Sequence, residues 1–374
     1  MKRSPIDDLA GDLADLAARS LLRVPRVAPS GSVTMCSNDY LGLAEHPIEA
    51  HAAPGAGASR LVSGNTDAHE ALETALADWL GVEACLAFTS GYAANLGALS
   101  CLVRPGDRVL SDALNHASII DGLRLARANV EVVPHLDLAA AARFLAHQPT
   151  GSTRTWFVTE SYFSMDADLP QLSELSRLCQ ENGAALYVDE AHALGVFGPN
   201  GRGACAAQGV VPDVLVGTFG KSFGLAGAFV GGKAVVRQWL WNRARSFVFS
   251  TGMSPLLAAG ASRRLPIIAK AERERTHLLA LGERLRSGLR ALGCDIRGEG
   301  PIVPWVISDP AHALRLANAL NAGGYFVQAI RPPTVPEGTS RIRLTVTAGH
   351  QMSDVTGFLR TVAELKESWG GWSS

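Results

Sequence analysis

Cysteine is sparse in this sequence, and what there is does not pair. Six cysteines (Cys36, Cys85, Cys101, Cys179, Cys205 and Cys294) are scattered over 374 residues without any C-x-x-C spacing, so no metal site and no disulfide framework is expected. No secretory leader pattern precedes them, and a reducing cytoplasm is the expected compartment. Uninterrupted apolar runs of bilayer-spanning length are missing, as are repeats and low-complexity tracts. An excess of either charge is missing too: 34 Lys+Arg stand against 35 Asp+Glu. Such a balance gives no broad field toward nucleic acid or a membrane, and neither is an expected partner. What is abundant is apolar residue, 47% of the chain, enough for a large core and, on length, about two domains.

The periodicity alternates. His69 to Leu80 places Leu72, Leu76 and Leu80 on one helical face, and Gly81 is a natural stop. Short apolar runs predict strands at 84–89, 130–134, 155–159, 184–188 and 213–218, with helical patterns at 93–102, 118–128, 138–147 and 171–182 between them. This predicts an α/β fold with a mainly parallel sheet. Residues 6–22 read as a helix leading into a Pro-punctuated arm. After about Thr251 a long charged helical stretch through Arg290 gives way to a smaller α+β pattern. The expected division is therefore an N-terminal arm (1–44), a large domain (45–250) and a small C-terminal α+β domain (251–374).

Chemistry concentrates where strands should end, the usual place for ligands in open α/β sheets. Asp189-Glu190-Ala191-His192 follows one apolar run, and Thr218-Phe219-Gly220-Lys221 closes the next. Together they read as a pyridoxal phosphate site. That cofactor is an electron sink only while its ring nitrogen stays protonated, which a buried carboxylate secures, and Asp189 is the candidate. A lysine must hold the cofactor as a Schiff base and exchange the substrate's α-proton, and Lys221 is the candidate. The Thr218 hydroxyl could reach the phosphate, and His192 could donate to the phenolic oxygen. Ser90-Gly91-Tyr92 at a helix start offers free backbone N–H groups to a phosphate. The letters DEAH and Gly220-Lys221-Ser222 also suggest a nucleotide hydrolase. That reading fails, because a phosphate-binding loop would need glycine where Leu215 stands and would precede the acidic motif.

Ser37-Asn38-Asp39-Tyr40-Leu41-Gly42-Leu43, Asn115-His116-Ala117-Ser118, Phe163-Ser164-Met165-Asp166, the two elements above and Ile330-Arg331-Pro332-Pro333-Thr334-Val335-Pro336 occur in one order along nearly the whole chain. In this the sequence resembles the α-oxoamine synthase family of fold type I pyridoxal phosphate enzymes. The resemblance implies a PLP-dependent transferase fold and an acyltransferase activity, the decarboxylative condensation of L-alanine with a pimeloyl thioester. The thioester would be carried on coenzyme A or an acyl carrier protein. Glycine- or serine-using relatives and an aminotransferase are the neighbouring chemistries.

Residue by residue, the resemblance implies that Lys221 carries the cofactor, that Asp189 pairs with its ring nitrogen, and that His192 and Ser164 bond its phenolic oxygen. His116 would stack on the ring, where residue reasoning alone makes it a helix cap on Asp112 or Ser118. Gly91, Tyr92 and Thr218 would hold the phosphate. Arg343 would take the amino acid's carboxylate as a bidentate fork, while its strand neighbour Arg341 reads as a solvated edge. Asn38, Thr334 and Arg331 would be further substrate contacts, and Arg23, with Arg19 as alternative, would meet the acyl chain. A homodimer with shared sites is implied. The sequence departs from the family pattern at Ala193, where glycine is common, and in the Gly55 to Arg60 loop. The stretch from His46 to Pro54 is also shorter than the family's helix there.

Overall fold

Leu72 and Leu76 have no exposed surface in the folded chain, and the helix that carries them shows how the sequence pattern becomes architecture. The computed structural model describes residues 5–48, 50–147 and 154–372. The chain forms two compact units. One holds residues up to Ser37, Ser164–Asp168 and the chain from Thr276 onward; the other holds Asn38–Phe163 and Leu169–Arg275.

In the first unit, α1 (Pro5–Ala18) ends a turn earlier than the expected 6–22, because Ser20 takes a left-handed backbone (φ 56°). The arm then runs to β1 (Val33–Thr34), which pairs in parallel with Tyr325 and Phe326. That pairing, and the bonds Met35 N to Phe326 O (2.9 Å) and Thr345 N to Met35 O (2.8 Å), explain why most of the expected 1–44 arm belongs with the C-terminal elements.

The second unit begins with extended chain. No helix forms among the described residues of 46–54, so the shortened segment is not a rebuilt helix. After a wide turn at Arg60–Gly64 comes α2 (Asp67–Leu80), started by a capping box between Thr66 and His69 and stopped by Gly81 at φ 72°, a conformation glycine adopts without strain. Burying Leu72 and Leu76 contributes about 1.5–3 kcal/mol each. The alternation continues through β2 (Ala84–Phe88), α3 (Gly91–Leu102), β3 (Arg108–Asp112), α4 (Ala117–Ala126), β4 (Asn129–Val133), α5 (Leu138–Ala146), β5 (Thr155–Glu160), α6 (Leu172–Glu181), β6 (Ala185–Asp189), α7 (Gly203–Ala207), β7 (Val214–Thr218) and β8 (Ala228–Gly232). The unit closes with α8 (Ala234–Arg243), α9 (Arg245–Val248) and α10 (Pro255–Lys270).

Its seven strands run in the order β2-β8-β7-β6-β5-β3-β4. Only β8 opposes its neighbours; β3 to β7 pair in parallel. Both faces are covered, which is why the strands read as continuous apolar runs. Along β7, Val214 and Val216 enter a core with Leu99, Ile119 and Val158, while Leu215 between them enters the opposite core with Leu72 and Leu76. Ala258, Ala261, Leu265 and Ile268 of α10 share that second core. The large unit therefore runs to Arg275, beyond the boundary expected at 250/251.

The C-terminal elements of the first unit follow α11 (Glu272–Ala291), inside which the boundary falls. They are β9 (Asp295–Ile296), β10 (Ile302–Ser308), α12 (Pro310–Ala322), β11 (Tyr325–Phe326), β12 (Ala329–Ile330), β13 (Ser340–Thr345) and α13 (Met352–Ser368). An antiparallel sheet in the order β12-β13-β10-β9 makes this the expected α+β pattern.

Candidate active site

Strand ends and helix starts of the large unit deliver polar residues at one edge of the sheet, where helix starts leave backbone groups unpaired. Asp189 ends β6 and is buried. Its Oδ2 accepts from Asn95 Nδ2 at 2.7 Å and its Oδ1 from the Ala191 N–H at 2.9 Å. Asn95 is itself fixed, accepting from the Tyr187 hydroxyl (2.7 Å) and donating to Ser118 Oγ (2.9 Å). Two donors thus fix the orientation of this carboxylate.

The rest of the DEAH run divides its labour. Glu190 accepts from the Ala204 and Cys205 N–H groups at 2.9 and 2.6 Å, and a Cβ on Gly203 would land on its carboxyl. That makes it a clamp for the turn at 203–205. His192 is buried and sets Nδ1 2.7 Å from Tyr40 Oη. Ala193, where the family commonly has glycine, is fully buried and donates its N–H to Glu190 O.

Thr218 ends β7. Its hydroxyl donates to Gly227 O at 3.0 Å and accepts from Gly220 N–H at 3.1 Å. A Cβ on Gly91 would lie 4.0 Å from that oxygen, so the structure brings Gly91 and Thr218 together. Gly91 and Tyr92 open α3, and a helix leaves its first N–H groups without intrahelical partners. Ser90 satisfies only Ala93 N–H with its hydroxyl. Lys221 follows in a turn, half-buried. No helix starts after it until α8, which removes the phosphate-loop reading of Gly220-Lys221-Ser222.

His116 caps α4. Its Nδ1 accepts from the Ser118 N–H (3.2 Å) and lies 2.7 Å from Ser118 Oγ, so the capping role expected from the residues alone is met on Ser118 rather than Asp112. The Tyr92 ring stands edge-on to it, centroids 6.4 Å apart at 75°, and the Tyr92 hydroxyl donates to Asp121. The residue keeps an exposed surface, yet its ring is set low enough for desolvation to push its pKa down, with Asp189 opposing and Lys221 reinforcing. Asn38 is half-buried with Oδ1 lacking a hydrogen-bond partner.

The first unit gathers the remaining candidates. Arg343 is buried on β13; its Nε donates to Ser164 O (2.5 Å) and its Nη1 to Thr345 Oγ1 (3.1 Å), while Nη2 is buried without a hydrogen-bond partner. Ser164 thus meets Arg343 through its carbonyl. Arg23 Nη2 donates to Thr334 Oγ1 at 2.8 Å, joining two expected substrate residues. Arg331 spends its Nη groups on the Ser20 and Leu22 carbonyls, which makes it a strut for the arm rather than a free fork. Arg341 is not a solvated edge: 1% exposed, it bonds Asp166 at 2.8 Å and Met165 O at 2.7 Å, because β13 is an interior strand.

Asn95, Tyr40 and Glu160 were not among the sequence candidates. Asn95 was detectable as the one strongly polar residue in the otherwise apolar 93–99 run. Tyr40 lies inside a quoted motif, but nothing in the sequence ties it to a histidine 152 positions away.

This chemistry has relatives. Residues 30–362 match the family model described as aminotransferase class I and II. The chain belongs to that family. It is 46% identical to 8-amino-7-oxononanoate synthase of Anaeromyxobacter dehalogenans, over 98% of this chain and 97% of the relative, and 41% identical to that of Alkalilimnicola ehrlichii, over 96% and 97%. Its fold matches serine palmitoyltransferase of S. paucimobilis, solved with a pyridoxal phosphate–myriocin adduct, with a TM-score of 0.90, 28% identity and 98% and 100% coverage. The resemblance to α-oxoamine synthases is thereby confirmed: this is a pyridoxal phosphate enzyme of fold type I and of the acyltransferase type. The donor set fits the group, with a doubly bonded buried carboxylate, a nearby lysine and a helix start facing a threonine hydroxyl. No described helix is long and apolar enough to cross a membrane.

Proposed function

We propose that the protein condenses L-alanine with a pimeloyl thioester, releasing carbon dioxide and the free thiol of coenzyme A or an acyl carrier protein and yielding 8-amino-7-oxononanoate. The observation that carries this reading beyond the family is Arg343, a buried guanidinium with one Nη lacking a protein partner, the geometry an amino acid carboxylate completes. Bound pyridoxal phosphate supplies an electron sink beside the amino acid's α-carbon.

The chain's own residues do the rest. Lys221 would hold the cofactor, and its Nζ would take the substrate's α-proton and later return one. Asp189, fixed by Asn95 and Ala191, would pair with the ring nitrogen. His192 would donate to the phenolic oxygen, with the Ser164 hydroxyl as its expected companion. Gly91, Tyr92 and Thr218 would hold the phosphate. His116 would stack on the ring and polarise the thioester carbonyl. Arg23, with Thr334 and Asn38, binds the acyl substrate.

A homodimer in the cytoplasm is part of the same reading. Ile6, Leu9, Leu13 and Leu16 form an exposed apolar stripe on α1, a face of the kind a second copy would cover. Sedimentation of the holoenzyme checks it, and a fully active monomer overturns it.

The functional test is a visible-absorption titration of the loaded enzyme with L-alanine, glycine or L-serine, then with pimeloyl thioesters of both carriers, with thiol release followed in parallel. Thiol release that requires both L-alanine and a pimeloyl thioester supports the reading. Release with glycine or serine instead moves the enzyme to a neighbouring synthase, and conversion of the cofactor to its amine form by amino acid alone makes it an aminotransferase.

A further inference from the structure

Asp189 has a second carboxyl beside it. In the parallel pairing of β5 with β6, Glu160 is the register partner of Asp189, so their side chains leave the sheet on the same face. Both residues are buried, with 4% and 7% of their surface exposed. Two carboxylates in such a position repel, and one of them must keep its proton.

The donors decide which. Asp189 takes two hydrogen bonds, from Asn95 and Ala191. Glu160 accepts the His116 backbone N–H. The groups facing Glu160 are Asp189 at the end of β6, Lys221 after β7, the backbone of His116 at the start of α4, and Asp112 at the end of β3; Asp112 is itself paired with His135 at 2.8 Å. Glu160 thus faces two other carboxyl groups and one lysine. Burial pushes the Glu160 carboxyl well above its ordinary range, Asp189 and Asp112 adding to the effect and Lys221 and the His116 N–H opposing it.

We propose that Glu160 is a positioning residue that works as a neutral carboxylic acid, confining the charge of the pair to Asp189 while its carbonyl oxygen holds the backbone of His116 at the start of α4. The inference rests on the assignment of Asp189 to the cofactor's ring nitrogen. A second anion in this place would bring a competing acceptor for the ring proton and for the Lys221 ammonium. A neutral acid keeps the site at one anion and still offers an oxygen to the His116 N–H.

The test is infrared difference spectroscopy on the loaded enzyme, wild type against Glu160→Gln, in light and heavy water near neutral pH. A protonated-carboxyl C=O stretch, sensitive to deuterium, is expected in the wild type and not in the variant. The variant's visible band should be unshifted and its turnover within about threefold, since glutamine copies the neutral acid. Absence of that band from the difference spectrum overturns the proposal, and so does a shift of the visible band like that of Asp189→Asn. A second measurement stands without the glutamine variant. In Asp189→Asn the neighbouring charge is gone, so the band must titrate away at lower pH than in the wild type, and an unchanged midpoint overturns the proposal. If Asp189→Asn leaves the visible band and its pH dependence untouched, it is the assignment of Asp189 that fails.

Discussion

Tyr40 Oη lies 2.7 Å from His192 Nδ1, and Tyr40 is fully buried. A phenol that donates to Nδ1 leaves the imidazole proton on Nε2, the nitrogen then able to donate to the phenolic oxygen expected of the cofactor. Tyr40→Phe removes the group that fixes this tautomer without changing the shape of the site. Losing one hydrogen bond of about 0.5–1.5 kcal/mol should raise the pH midpoint of the bound cofactor's visible band by about half a unit to one unit. A spectral titration of the variant checks it, and an unmoved midpoint would assign Tyr40 to packing alone.

Arg343 is poised differently. Two of its nitrogens are spent on Ser164 O and Thr345 Oγ1, and its buried Nη2 is left over. Arg343→Lys should therefore keep the chain folded but lose the fork, raising KM for the amino acid about 10- to 100-fold, the worth of one charge-assisted hydrogen bond of about 1.5–3 kcal/mol. The KM for the acyl thioester should change far less. Steady-state kinetics in both substrates separate the two, and an equal rise in both would remove the carboxylate role.

How much of this the sequence discloses depends on what buries each residue. The apolar runs ending at Thr218 and Asp189 mark their strands because both faces are covered. β3 escapes the pattern, since Arg108 and Asp112 make its ends look polar. Folding buries both, Arg108 through a bond to Glu131 at 2.5 Å and Asp112 through His135. β8 escapes because Gly231 and Gly232 dilute its apolar signal. The domain boundary at 250/251 misses α10, whose apolar face packs in a core with α2, far back in the chain, and with Leu215 of β7. Within the candidate site, the residues proposed to touch cofactor or substrate stand out by type, whereas Asn95, Tyr40 and Glu160 are marked only by the residues they bond or face, and sequence spacing does not report such partners.

A buried ion pair in the large unit gives a stability prediction away from the cofactor residues. Arg60 and Glu73 are 3% exposed and paired. Glu73 also accepts from Ala87 N–H and Arg237, each at 2.8 Å, and Arg60 lies over the Trp241 ring at 5.2 Å. Glu73→Ala would leave the buried Arg60 guanidinium with the Asn65 amide oxygen and only a 3.5 Å approach to Glu70, and should cost about 3–5 kcal/mol. Urea unfolding measures it; a loss below about 1 kcal/mol would show that the pair behaves like a surface bridge.

His69 makes stability depend on pH with a definite sign. It is fully buried in α2; Nε2 lies 2.8 Å from Met253 O, and Nδ1 accepts from the Thr66 N–H at 3.3 Å. That arrangement needs a neutral ring with its proton on Nε2, because a proton on Nδ1 would confront the Thr66 donor. Burial, chiefly, lowers its folded pKa below 6.5; the Arg60 charge reinforces that shift, while the Met253 bond, Glu73 and Glu70 oppose it. Below pH 6.5 the unfolded chain therefore binds a proton that the folded chain refuses. Stability should fall as pH drops through that value, by at most about 1.4 kcal/mol per pH unit, until the folded pKa is reached. His116 and His350 are shifted the same way, so the informative quantity is the difference between wild type and His69→Gln. Urea midpoints on either side of pH 6.5 should show a shallower loss in the variant, and parallel curves would mean that His69 does not titrate between the two states.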